Sequence, residues 1–127
     1  MTADPACLLV FGTRTFYDFN LLARVLDDEV RGAGPLVVVT GDAPGADALA
    51  RLWAKFRGHE IRVFDADWSA GPSAGPRRNA RMVAAALAFD RRWAVGFWDG
   101  FSRGTRDTAD RCRAAGIPTG IVRYAAQ

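Results

Sequence analysis

The sequence predicts a Rossmann-like, doubly wound, three-layer α/β domain with about five parallel strands and four helices. Three observations carry that expectation. Five short runs rich in β-branched, aromatic or leucine residues recur along the chain, segments with apolar residues at helical spacing separate them, and the runs are apolar without alternation. Unbroken apolar strands are buried on both faces, and right-handed crossovers put the intervening helices on the two sides of one parallel sheet.

The elements follow in order. CLLVF (7–11) is the first strand; after GTRTFYD comes a helix with Leu22, Val25 and Leu26 on one face. LVVVT (36–40) leads through GDAPGAD into a helix whose stripe reads Leu49, Leu52, Trp53 and Phe56. IRVF (61–64) is followed by the long turn DADWSAGPSAGPRRN and a helix carrying Met82, Val83, Ala86 and Leu87. WAVGFW (93–98) and DGFSRGT precede a fourth, less periodic helix at 105–115, and TGIV (119–122) is the last strand. There is no internal repeat, low-complexity tract or linker.

At 127 residues, half of them hydrophobic, the chain suits one domain spanning 1–127, since two would each be too small for a core. No run of apolar residues reaches membrane-spanning length, and MTADPA lacks the basic-then-apolar order of a signal peptide. A cytoplasmic protein with no membrane partner is expected. Cys7 lies in an apolar run and Cys112 in a helical pattern, which fits buried reduced thiols rather than a disulfide framework or a metal site. Neither a metal nor a cofactor is expected. Trp53 reads as core, and His59, the single histidine, as exposed and inert in a helix-to-strand turn.

Charge is uneven. Residues 77–113 hold nine arginines against four aspartates, net +5, while residues 1–76 hold seven basic and ten acidic groups, net −3. The second half is therefore the anion-seeking one, and the arginine guanidinium suits bidentate contact with phosphate or carboxylate.

The turns are asymmetric too. Those from helix to strand (RGAGP, RGHE, AAGIP) are short glycine or proline stops. Those after strands are long and polar, and in an open parallel sheet they share the carboxyl edge, where ligands bind near a change of strand order. WDGFSRGT, Trp98–Thr105, poses the question most sharply, because so many small and hydrogen-bonding residues leave one buried strand. Each such turn opens a helix whose first amides and dipole attract anions. Glycines let the backbone approach a ligand, and hydroxyls add donors. Gly12, Thr13, Arg14, Gly41, Gly45, Asp47, Gly75, Arg78, Asn79, Asp99, Gly100, Ser102, Gly104 and Thr105 are the expected ligand- and phosphate-binding residues. Asp99 is expected to accept from a sugar hydroxyl and Asp47 to orient a ribose or complement the helix dipole. Asp18, Asp42, Ser73 and Ser102 also fit helix caps. The edge as a whole, with Arg14, Arg77, Arg78 and Arg103 on it, points to a ligand. Walker and GxGxxG motifs are absent.

GTRTFYD, TGDAPGAD followed by LARLWA, ADW, GPRRNARM and FWDGFSRGT resemble, in order, the motifs of the YspA, or cpYpsA-related, branch of the SLOG superfamily. The resemblance runs from about Phe11 to Val122. It implies a Rossmann-like domain that binds nucleotides or nucleotide-derived ligands, related to LONELY GUY-type phosphoribohydrolases and to DprA-type domains that bind single-stranded DNA. The phosphoribohydrolases' glycine-rich loop falls on Gly41–Asp47, their Arg-Lys pair on Arg78 and Asn79, and their PGGxGTxxE motif on Asp99–Thr108. Asn79 thus replaces the lysine and Thr108 the catalytic glutamate.

Three functions follow from these readings. The leading one is binding, sensing or processing of a nucleotide or nucleotide-derived small molecule. A second is a nucleotide hydrolase or N-glycosidase that uses Asp99, Asp107 or Asp42 in place of the missing glutamate, with Asp107 expected to point away from the ribose. A third is single-stranded nucleic acid binding, with Trp68 and Phe101 as stacking groups. The alanine-rich stretch Ala84–Ala88, together with the way the related phosphoribohydrolases associate, suggests a homodimer.

Overall fold

The computed structural model describes residues 4–125, so the first residues of MTADPA and the last two of the 1–127 domain lie outside it. The strands are β1 (Ala6–Gly12), β2 (Leu36–Gly41), β3 (Glu60–Phe64), β4 (Arg92–Trp98) and β5 (Thr119–Arg123). The helices are α1 (Phe19–Glu29), α2 (Ala46–Arg57), α3 (Ala74–Leu87) and α4 (Arg103–Ala114), with a short 3-10 turn at Trp68–Ala70. All strand pairs are parallel, in the order β3-β2-β1-β4-β5.

This order explains the layers. The chain starts in the centre, walks outward through β2 to β3, then returns past β1 to β4. Because crossovers are right-handed, α1 and α2 cover one face and α3 and α4 the other. Leu8, Val10, Val38 and Phe97 point toward Leu22, Leu26 and Trp53 on the first face. Cys7, Leu9, Val37 and Val39 point toward Met82, Val83, Ala86 and Cys112 on the second. Period-two alternation thus feeds two cores, which is why β1 and β2 are apolar throughout. Both cysteines are free and buried, and burial pushes each thiol up to about 11.

Two expectations need correction. Leu52 and Phe56 do not face the sheet: they are exposed, while Trp53 packs inward with Ala46, Ala50 and Ala54. The alanines let α2 approach β1 and β2 closely, so the inner face is built of small residues and one large ring; Leu49 packs partly against it, while Leu52 and Phe56 turn outward. Phe56 meets Phe19 of α1 edge-on instead. Nor is His59 fully exposed. It is half-buried against Trp53, with ring centroids 5.1 Å apart, and desolvation holds its pKa below the ordinary value.

Candidate functional site

The change of winding direction falls between β1 and β4, and a cavity of about 740 Å³ opens at the carboxyl edge there. Every element near it contributes. Phe11, Gly12 and Arg14 come from the end of β1, Ala43 and Asp47 from the entrance to α2, and Trp68 from the turn after β3. Gly75, Pro76, Arg78, Asn79 and Met82 come from α3, and Ser102 to Thr105 with Asp107 and Thr108 from α4. The starts of three helices therefore open into one space.

Arg78 is the central cation. It is only 8% exposed; its Nη1 donates to Asp42 Oδ1 at 2.8 Å and its Nε to Asn79 Oδ1 at 3.0 Å. Its Nη2 keeps no hydrogen-bond partner among the described residues. Asn79 in turn donates to Asp107 Oδ2 at 3.0 Å, and Arg111 Nε donates to the same oxygen at 2.8 Å. Asp107 therefore lies on the cavity wall rather than pointing away, because α4 packs against α3 and Asn79 draws the carboxylate inward. Thr108 is buried beside it, its hydroxyl donating back to Gly104 O at 3.2 Å.

The opening of α4 answers the WDGFSRGT question in part. Ser102 caps the helix, accepting from Thr105 N at 3.3 Å and from Thr105 Oγ1 at 2.9 Å, so its own hydroxyl hydrogen is free to donate. The first-turn amides of Arg103 and Gly104 have no partner among the described residues, and a Cβ built on Gly104 would meet nothing within 4 Å. Asp99 has a different role from the one expected. Its Oδ1 accepts from Phe101 N at 2.8 Å and Ser102 N at 2.9 Å, and those bonds hold its pKa below the ordinary range. It pins the turn and does not line the cavity. Trp98 does likewise, its Nε1 donating to Ser102 O at 3.0 Å while Arg123 covers its ring.

Several other expected residues frame the site from behind. Thr13 is buried; its Oγ1 accepts from Asp99 N and its carbonyl accepts from Ala46 N, which joins the ends of β1 and β4 to α2. Gly45 has φ +77° and passes so close to Thr13 and Arg14 that a Cβ would overlap their backbone. A Cβ on Gly41 would collide with both the Asp47 carboxyl and the Arg78 guanidinium. Gly100 sits under the Arg123 side chain. Asp42 stands on the outer side of Arg78, and Arg77 is exposed off the cavity. Thr13, Gly41, Asp42, Gly45, Arg77 and Gly100 do not line the cavity itself.

Asp47 is the unusual carboxyl of the site. It is 4% exposed, lines the cavity and belongs to no ion pair among the described residues. Burial pushes its pKa up to about 6, against the lowering pull of Arg78, the Ala43 amide and Arg51, while Asp42 adds to the rise. At the mouth, the Arg14 guanidinium lies 5.6 Å from the Trp68 ring, and Trp68 is half exposed. Met82 and Phe11, read from the sequence only as core, form part of the apolar wall. The spacing of Gly75, Arg78, Asn79 and Met82 along one helix is the signal that connects them. No group of three or more histidine, cysteine or carboxylate residues suited to a metal exists among the described residues, and none of their helices is long and apolar enough to cross a membrane.

A family model described as the YspA, cpYpsA-related SLOG family matches residues 7–71. The chain is also 36% identical over 118 residues to the Gene 61 protein of Mycobacterium phage D29, a match covering 87% of this chain and 91% of that protein.

Proposed function

Given that the chain belongs to the YspA, cpYpsA-related SLOG family, we propose that it binds a nucleotide or nucleotide-derived ligand through a phosphate group held in this cavity. The observation that carries the reading is a nearly buried arginine whose free Nη2 shares one cavity with the unpaired first-turn amides of α4. Burial strengthens the attraction of such a cation for an anion, and helix-start amides supply directed donors. A volume of about 740 Å³ is of the size that small-molecule ligands occupy. Trp68 at the mouth offers a surface on which a base can stack.

Binding without efficient N-glycosidic hydrolysis is the form of this function that the side chains support. Hydrolysis calls for a carboxylate free to stabilise a cation-like sugar or position water. Asp99 and Asp42 lie off the cavity, Asp107 is already engaged by Asn79 and Arg111, and Asp47, the remaining cavity carboxyl, sits beside Arg78, on the phosphate side rather than the sugar side of this reading. The concave cavity fits one mononucleotide-sized ligand better than a polymer strand. Ala84, Leu87 and Ala88 are exposed on α3 and support self-association through that face, for which light scattering should give twice 13.8 kDa.

Mass spectrometry of small molecules co-purifying with the protein identifies candidates, and calorimetry with nucleoside monophosphates tests them. Arg78→Ala should weaken binding by more than about tenfold, from loss of a charge-assisted contact worth roughly 1.5–3 kcal/mol. Equal affinity in parent and variant would remove the phosphate from this cavity.

A further inference from the structure

Asp47 differs from the other carboxylates at this edge of the sheet in having no side-chain partner among the described residues, its contact being the Ala43 backbone amide. Asp42 pairs with Arg78, Asp107 with Arg111, and Asp99 with two backbone amides. Asp47 is more than nine-tenths buried, faces the cavity and has no ion pair among the described residues. It also sits beside the cation proposed for the phosphate, since the one missing Cβ at Gly41 is what gives room to both side chains. The atoms of Arg78 nearest that shared point are Nη1 and Cζ, so an anion that takes Nη2 of the same guanidinium lies in the neighbourhood of a buried carboxyl.

Two adjacent anions in a desolvated site do not both stay charged; one proton is retained between them. We propose that Asp47 is part of the anion site itself and that a bound phosphate oxygen and the Asp47 carboxyl share one proton. This rests on the phosphate-binding reading above. A ligand with no proton of its own binds with uptake of one from solvent, which resides on Asp47 as an O–H donor to the anion. A ligand that carries a proton donates it to the ionised carboxylate, and no uptake is needed. Above about pH 6 the site therefore prefers proton-bearing phosphates to fully ionised oxyanions, because the latter leave the buried carboxylate facing a second acceptor.

The charged groups around Asp47 allow the effect to be assigned. Arg78 faces it from α3, Asp42 from the loop after β2 and Arg51 from its own helix. Arg14, Arg103 and Asp107 stand elsewhere on the cavity wall, and His59 lies at the opposite edge of the sheet. Asp47 is thus the cavity side chain placed to titrate near neutrality.

The test titrates sulfate and inorganic phosphate into the full chain near pH 5 and near pH 7.5, either side of Asp47's value of about 6, with amide chemical shifts as the readout. Sulfate has no proton to share in this range, whereas hydrogenphosphate keeps one. Sulfate affinity should fall roughly tenfold or more between the two conditions, and phosphate affinity clearly less. In Asp47→Asn the carboxamide donates without titrating, so sulfate affinity should become level with pH. Sulfate binding in the parent that is flat with pH overturns the shared proton and leaves the phosphate reading standing. An Asp47→Asn variant that keeps the parent's slope overturns it in the same way. No binding of either anion at either pH defeats both readings, and if the variant does not fold, the parent's slope alone decides.

Discussion

Gly104→Ala separates what the fold needs from what a ligand needs. Gly104 is in the first turn of α4, and a Cβ there would meet no protein atom within 4 Å. The protein itself therefore has no use for the missing side chain. Alanine in a helix is favoured over glycine by up to about 1 kcal/mol, and near the end of a helix roughly half of that is a reasonable expectation. The variant should then be as stable as the parent or melt roughly 2–5 °C higher. Its methyl group tilts toward the helix start, beside the unpartnered amides of Arg103 and Gly104. A phosphate held there would be pushed away from one charge-assisted N–H contact, a loss of roughly 1.5–3 kcal/mol, or about ten- to a hundredfold in affinity. Gly104→Val should weaken binding further. Differential scanning calorimetry and titration calorimetry with a nucleoside monophosphate read the two effects separately. Unchanged affinity with raised stability would mean that the ligand does not approach α4, and reduced stability would mean that the geometry around Gly104 is wrong.

Three more outcomes are expected. Because the folded-state pKa of Asp47 is raised from 3.8 to about 6, its contribution to stability is full below the unfolded value and is lost as pH rises through about 6. Asp47→Asn should therefore be more stable than the parent at pH 7.5, by at most on the order of 3 kcal/mol, and indistinguishable in acid, as urea midpoints at several pH values will show. The opposite sign applies to Asp99, whose pKa is lowered by the Phe101 and Ser102 amides. Its contribution is present above the unfolded value and lost as pH falls through the folded one, so Asp99→Ala should lower stability at neutral pH by about 1 kcal/mol and flatten the acid limb of the melting curve. Finally, release of free base from purine and pyrimidine monophosphates should stay far below ordinary enzymatic rates of about 1–10 per second. Turnover in that range by the parent, abolished by Asp107→Asn, would show that Asp107 acts despite its pairing with Arg111.

Much of the architecture was legible from the sequence because it depends on local, repeating patterns. Runs such as LVVVT and WAVGFW have strand length and no polar alternation, and each is followed by a helix start, so five strands, four helices and a polar, glycine-rich carboxyl edge all follow from periodicity and punctuation. The match of motifs in order placed Arg78, Gly104 and Thr105 on that edge, and all three line the cavity. Only the tertiary structure decided which polar groups turn toward the cavity and which are spent on the loops. Asp99 and Asp47 are both acidic residues beside helix starts, yet one is held by amides two and three residues away and the other is buried on the cavity wall, where it faces Arg78 of a different helix. Arg78 finds Asp42 across 36 residues of chain, and Asn79 finds Asp107 across 28. Such pairings, and the burial that raises the Asp47 pKa, depend on how closely α2, α3 and α4 pack at the break in winding between β1 and β4. Periodicity says that a helix is there, but the distance at which its first turn meets another helix is set by side-chain volumes summed over the whole sheet.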